Sequence, residues 1–275
     1  MKNENKIMVY DDACPLCSAY TNFFVKAGIL TKEGRQCFTG IDSSLAENIN
    51  MDKSRNEIPL INTKTGEVKY GIDAMTDVLA DKWPFIKTAS ALKPVNWFLQ
   101  RFYKLVSYNR RVVTATAFKG GNFDCTPDFN YKYRFTFMLF GLLMNSALLF
   151  CVHAEIFPKS VFGNTSLLEL QLAHFALVTV NIFLAFSLPK QKAFEFLGQV
   201  NMLAILVNLF LLPLIFLNSF SISTPLLNNV LLAAITVIII KQYIRRMKYA
   251  GTITNRFITG INIISIGCFI FYLLL

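Results

Sequence analysis

Of 275 residues, 54% are hydrophobic and 16% charged, against about 45–50% and about 25% in a soluble domain; this excludes an ordinary soluble protein, and the wealth of Leu, Ile and Phe excludes a disordered one. The net charge of +10 would suggest nucleic acid in a soluble chain, but here it points to anionic lipid and a positive-inside bias. Six cysteines are too few for a disulfide scaffold.

The chain is uneven. Residues 1–134 carry 19 Lys/Arg and 14 Asp/Glu, and residues 135–275 carry 8 and 3. Within the first part, residues 1–92 hold 11 basic and 12 acidic side chains, and residues 93–134 hold 8 and 2. The expected organisation is a near-neutral soluble domain, a basic connector and a hydrophobic half.

In chain order, Lys6–Tyr10 is an apolar run closed by Asp11-Asp12, which reads as a strand and a turn. Residues 14–28 read as a helix, with Tyr20, Phe23 and Phe24 at helical spacing and Gly28 near the end. A second strand is expected over 36–41. A short helix follows over 43–50, with Ser43 or Ser44 as N-cap and Glu47 available for a capping box. Strands over 57–62 and 67–70 flank a turn at Lys64-Thr65-Gly66. A helix over 73–83 starts at Asp73.

The order β-α-β-α-β-β-α, with Cys14-Pro15-Leu16-Cys17 at the first strand-to-helix junction, is the minimal thioredoxin fold. In that fold a cis-proline occupies the place of Pro59 and faces the dithiol, so Ile58–Pro59 is expected to be cis. Cys14 at a helix N-terminus has its thiolate favoured by free N–H groups and the helix dipole. Cys17 follows one turn later and can resolve a mixed disulfide. Pro15 suits the first helical turn, where its missing N–H is not needed. The expected roles are Cys14 as nucleophile and Cys17 as resolving thiol. Asp11 reads either as a proton acceptor for Cys17 or as a helix cap. The competing reading, half of a zinc site, lacks further ligands: Cys37 falls in a strand, and His153 and His174 lie in the hydrophobic half. No metal and no cofactor are expected. Cys37 reads as a core thiol, and Cys125 as a linker cysteine ahead of a mixed-disulfide partner.

The stretch Val9-Tyr10-Asp11-Asp12-Ala13-Cys14-Pro15-Leu16-Cys17 resembles the signature of the DCC family of bacterial thiol-disulfide oxidoreductase-like proteins. Thr65-Gly66-Glu67-Val68, Gly71 with Asp73-Ala74, and the Tyr…Asn-Arg close within 103–110 extend the likeness over about residues 6–112. The resemblance implies redox chemistry at Cys14 and Cys17, on a protein or small-molecule disulfide or dithiol. One departure is Asp12, where the family usually has Gly. A second carboxylate beside the dithiol is expected to raise its thiol pKa.

The connector interleaves Trp97, Phe98, Phe102 and Tyr103 with Arg101, Lys104, Arg110 and Arg111. Such a helix fits a membrane surface; the competing reading packs its apolar face on the sheet, with the arginines left toward lipid. Nucleic acid is not expected, because the charge is local and adjoins a membrane span. Five spans near the bilayer-crossing length follow, over 135–151, 168–188, 197–217, 226–240 and 257–274. The loops after the second and fourth spans hold Lys190, Lys192, Lys241, Arg245, Arg246, Lys248 and Arg256, against Lys159 alone on the other side. This is expected to place the N-terminal domain in the cytoplasm and the C-terminus outside; the resemblance to a bacterial family implies the inner membrane. The opening residues lack a signal-peptide core, which agrees. Cys151 and Cys268 lie in spans and offer an electron path across the bilayer; His174 and several Asn are polar groups at membrane depth.

The fold class expected is therefore an α/β thioredoxin-like domain plus an all-α transmembrane bundle. The function expected is a membrane-anchored, cytoplasm-facing thiol-disulfide oxidoreductase. The alternative is a membrane transport or interaction protein whose thioredoxin-like domain regulates or docks, with a membrane partner.

Overall fold

The computed structural model describes residues 4–117 and 124–274. The chain divides into two units, Met1–Arg134 and Phe135–Leu275.

In the first unit β1 (Lys6–Tyr10), β2 (Arg35–Cys37), β3 (Pro59–Asn62) and β4 (Val68–Tyr70) form one sheet in the order β2-β1-β3-β4. β1 and β2 are parallel, with Tyr10 opposite Cys37. β3 is antiparallel to β1, with Met8 opposite Leu60, and to β4, with Ile61 opposite Val68. Around the sheet lie α1 (Pro15–Lys26), α2 (Ser43–Ala46), α3 (Met51–Asn56), α4 (Gly71–Ala80), α5 (Phe85–Ala91) and α6 (Lys93–Thr114). Strand alternation divides the core in two. Met8 and Leu60 pack with Phe24, Ala74 and Val78. Val9 and Ile61 pack with Phe38, Ile49 and Cys125. The N-terminal unit is thus thioredoxin-like, as its element order predicts.

Several local expectations are corrected. The Ile58–Pro59 bond is trans, and no described peptide bond is cis. The ordinary trans geometry suits an extended chain entering β3, where Pro59 is the first strand residue and needs no N–H donor. The strand expected over 36–41 stops at Cys37 and turns into a 3-10 segment, Phe38–Gly40. The helix expected over 43–50 is split. Asp42 occupies the N-cap position of α2 without a side-chain cap hydrogen bond, and α2 ends at Ala46, so neither Ser43 nor Ser44 forms a capping box with Glu47. The working cap is Asn50, whose Oδ1 accepts the Lys53 N–H at 2.9 Å and starts α3. α4 starts at Gly71, two residues before the expected start. Gly71 has φ +61°, and a Cβ there would lie 3.1 Å from Tyr103 Cε1, so glycine lets α6 approach the hairpin. Gly28, at φ +65°, ends α1 in the left-handed turn that its sequence position suggests.

In the second unit five helices are long and apolar enough to cross a membrane: α7 (Tyr131–Glu155), α8 (Leu167–Phe186), α9 (Lys190–Ser219), α10 (Pro225–Tyr249) and α11 (Arg256–Leu274). Their outward side chains are large and apolar, among them Phe183, Phe186, Phe216 and Ile264. Polar groups point inward and pair. Asn208 Nδ2 donates to Asn145 Oδ1 at 2.8 Å, and Asn262 Nδ2 to Asn181 Oδ1 at 2.6 Å. Asn218 and Asn228 exchange hydrogen bonds at 3.0 and 3.1 Å. Arg246, beyond the expected end of the fourth span, continues α10; it is 2% exposed and donates to Gln199 Oε1 at 2.9 Å. The hydrogen bond gives this buried charge a polar partner.

Candidate functional site

The dithiol is built by the junction of β1 and α1. β1 ends at Tyr10, Asp11 and Asp12 turn the chain, and Cys14 is the N-cap of α1 with Pro15 at its first position. No side chain caps this end, so the first N–H groups of α1 are left for Cys14 itself. Cys17 lies one turn on. Thr21 Oγ1 donates to the Cys17 carbonyl at 2.8 Å, and Arg35 Nε donates to Thr21 Oγ1 at 2.9 Å, which braces this turn. The antiparallel register places the start of β3, and so Pro59, at the sheet end where β1 leaves for Cys14.

Both thiols are enclosed: Cys14 is 0% and Cys17 5% exposed. The Cys17 thiol and the Cys17 backbone N–H donate to Cys14 Sγ. Together with the positive charge of Arg110 they hold the Cys14 thiol down at about 6, against the cost of burial. The same hydrogen bond, with burial, pushes Cys17 well above the usual thiol range. The pair is therefore one thiolate and one thiol at neutral pH. Asp12 was expected to raise the dithiol as a whole. It is instead exposed, accepts a hydrogen bond from Thr39 Oγ1 at 3.1 Å, and leaves Cys14 lowered.

Asp11 does not cap α1. Its Oδ2 accepts from Arg111 Nη2 at 2.9 Å and lies 3.7 Å from Arg110 Nη2, with all three side chains at or below 7% exposure. Burial pushes the Asp11 carboxyl up, against the pull of Arg111 and then Arg110. Arg111 Nη1 also donates to the Ala13 carbonyl at 3.1 Å. Arg110 donates to the Arg55 carbonyl at 2.8 Å and to the Cys125 carbonyl. The connector thus departs from its expected arrangement. Arg110 and Arg111 are not turned to lipid but buried at the dithiol, while Trp97, Phe98 and Phe102 are the exposed face of α6.

Sequence reasoning missed these two arginines as site residues. The signal available was their adjacency at the end of the Tyr…Asn-Arg run. The same run supplies Tyr103, whose Oη accepts the Ile58 N–H at 2.9 Å and ties α6 to the start of β3.

Beside Cys17 a cleft of about 260 Å³ opens between α1, α4 and α6, walled by Leu16, Tyr20, Met75, Leu99, Tyr103 and Arg110.

The remaining candidates lie apart from this arrangement. Cys37 is half-buried at the end of β2, rather than a core thiol, and its Sγ lies 3.3 Å from Thr39 Oγ1. Cys125 was expected in a linker but is buried in the second core cluster, where burial pushes its thiol up to about 12. Residues 118–123, which begin the loop expected around it, lie outside the described residues. Cys151 and Cys268 are both exposed and unbridged. His153 Nε2 lies 3.1 Å from the Thr165 carbonyl, and His174 Nδ1 is buried with no partner among the described residues. Among the described residues no three His, Cys, Asp or Glu are grouped to hold a metal.

A buried pair of cysteines at the first turn of the helix that follows β1, on a mixed four-stranded sheet, defines a thioredoxin-like domain. Residues 8–115 match the family model described as DCC1-like thiol-disulfide oxidoreductase, which runs from β1 to the end of α6. The N-terminal part of the chain is thus similar to that family over these residues, and five membrane-length helices follow it. No curated protein and no solved structure matches the chain.

Proposed function

We propose that the chain is a membrane-anchored thiol-disulfide oxidoreductase acting through Cys14 and Cys17. The observation that carries this reading is the shared hydrogen bond of the two thiols, which leaves Cys14 as thiolate near neutral pH. The Cys14 thiolate attacks one sulfur of a substrate disulfide, and the other sulfur leaves as thiolate. Cys17 then gives its proton to that leaving thiolate and attacks Cys14 Sγ, releasing the second substrate sulfur as thiolate, which takes its proton from water, and closing the Cys14–Cys17 disulfide. Two electrons pass from the protein to the substrate, and the reverse sequence oxidises a substrate dithiol. Asp11, Arg110 and Arg111 are positioning residues that hold the loop and the local charge. Pro59 is the first residue of β3, at the sheet end where β1 leaves for Cys14.

The charge bias of the short loops supports a cytoplasmic N-terminal domain, an outer C-terminus and a bacterial inner membrane as the location. The aromatic, basic outer face of α6 supports contact with lipid. The test is Cys17→Ser, which removes the resolving thiol and traps the substrate on Cys14; Cys14→Ser abolishes trapping. Failure of Cys17→Ser to form any mixed disulfide under oxidising stress overturns the reading.

A second reading is favoured by the buried Asn145–Asn208 and Asn181–Asn262 pairs, which exceed what a simple anchor needs. In it the five-helix bundle transports or binds a membrane partner, and the thioredoxin-like domain regulates or docks. That protein keeps its activity in both cysteine variants.

A further inference from the structure

We infer that the cleft beside Cys17 selects a small, uncharged disulfide carried on an apolar stem. This rests on the oxidoreductase reading and narrows it to a substrate class.

The argument begins with access. Cys14 is fully enclosed and Cys17 95% so, and a substrate therefore approaches the pair through a recess. The cleft is a recess among the described residues with Cys17 in its wall. Its other walls are mostly apolar, with Leu16, Met75, Leu99 and Val106 among them. Polar groups there are already used. Tyr103 Oη accepts from Ile58, and Ser107 Oγ donates to the Asn56 carbonyl. Arg110 brings a positive charge, yet Arg110 and Arg111 together face the Asp11 carboxylate and the Cys14 thiolate, two charges against two. A charged substrate therefore meets no unmatched partner, and its desolvation goes uncompensated. An apolar stem meets none of these penalties and buries surface in the cleft. Phe102 belongs to both the cleft wall and the exposed row Trp97, Phe98, Phe102, so the apolar wall continues onto the outer face of α6.

Arg110, a residue of the cleft wall, sets a fixed positive charge close to the pair, which favours the negative charge of a departing sulfur. A stem seated along Leu99 and Met75 brings its disulfide to the Cys17 wall of the cleft, one helical turn from the Cys14 thiolate. The Cys14–substrate bond forms as the substrate S–S bond breaks. Cys17 then transfers its proton to the leaving sulfur and displaces the second one.

The test uses the reduced full-length protein in detergent micelles, in single turnover, with rates read from closure of the Cys14–Cys17 disulfide. Lipoamide supplies an uncharged disulfide on an apolar stem, and glutathione disulfide is a charged counterpart. Hydroxyethyl disulfide is a small disulfide without a stem. Lipoamide is expected to react at least tenfold faster than glutathione disulfide. Leu99→Trp, which fills the cleft, is expected to lower the lipoamide to hydroxyethyl disulfide rate ratio at least tenfold. Octanamide, a stem without sulfur, is expected to slow the wild-type lipoamide reaction at least threefold, a measurement that needs no variant. Equal lipoamide and glutathione rates, with no effect of octanamide, overturn the cleft while leaving the oxidoreductase reading intact. If none of the three disulfides oxidises the pair, both readings fall.

Discussion

At the residue scale the site is governed by one hydrogen bond and one balanced set of charges. Cys14 is a thiolate above about pH 6 because Cys17 donates to it and Arg110 lies close. Thiolate is the reactive form, so alkylation of Cys14 should rise with pH to a midpoint near 6 and level off above it. Cys17→Ala removes the donor and should move that midpoint toward the ordinary thiol value of about 8.5. Cys17→Ser keeps an O–H donor and should move it less. Peptide mass spectrometry of the alkylated protein distinguishes Cys14 from the exposed Cys151 and Cys268. A midpoint unmoved in Cys17→Ala would assign the low value to some other cause. Arg110→Gln should also raise the midpoint, because it withdraws a positive charge from the thiolate. Arg111→Gln acts on stability. It strips Asp11 of a partner at 2.9 Å in a buried setting, and breaking a buried ion pair costs about 3–5 kcal/mol. Both tryptophans, Trp83 and Trp97, lie in the N-terminal unit, so their fluorescence during urea unfolding reads this loss.

At the scale of elements α6 reverses the usual logic of an amphipathic helix. Its C-terminal half buries Ser107, Asn109, Arg110 and Arg111, while its N-terminal half exposes Trp97, Phe98 and Phe102. Binary pattern reads apolar as inside and charged as outside, and so misplaces both halves. The burial of Arg111 depends on Asp11, one hundred residues away, and no local pattern contains that partner. By contrast β1, α1 and the closing hairpin were legible, because apolar runs, Pro15, Gly28 and Lys64-Thr65-Gly66 are local signals. The cis geometry expected at Pro59 was borrowed from the fold class rather than read from neighbours, and it failed. In the membrane helices the Asn residues were legible as polar positions but their pairing was not, since helix packing chooses the partners. Asn145 and Asn208 should couple by about 0.6 kcal/mol and no more than about 1.7 kcal/mol. A double-mutant cycle of Asn145→Ala and Asn208→Ala, unfolded in mixed micelles, measures it; independent effects would mean the bond contributes nothing.

At the scale of the whole molecule the net charge of +10 is a sum of unlike parts: −1 for residues 1–92, +6 for residues 93–134 and +5 for residues 135–275. The division into two units was readable because hydropathy is a local sum, and five membrane-length helices follow from it. If the loop charges set orientation, Lys192→Cys should be shielded from a membrane-impermeant maleimide in intact cells, and Lys159→Cys should react; the opposite pattern inverts the topology. The two guanidiniums at the dithiol carry a wider consequence. They are matched while Cys14 is a thiolate and left one charge in excess when it becomes a disulfide. Both belong to α6, the helix that precedes the first membrane segment in the chain. Thermodynamic coupling runs in both directions. If Cys14 and Cys17 exchange electrons as proposed, oxidation would weaken the hold of the dithiol loop on α6, and a force drawing α6 away would make oxidation easier. The end of α6 would then act as a mechanical lever on the electron chemistry, and the electron chemistry on the lever.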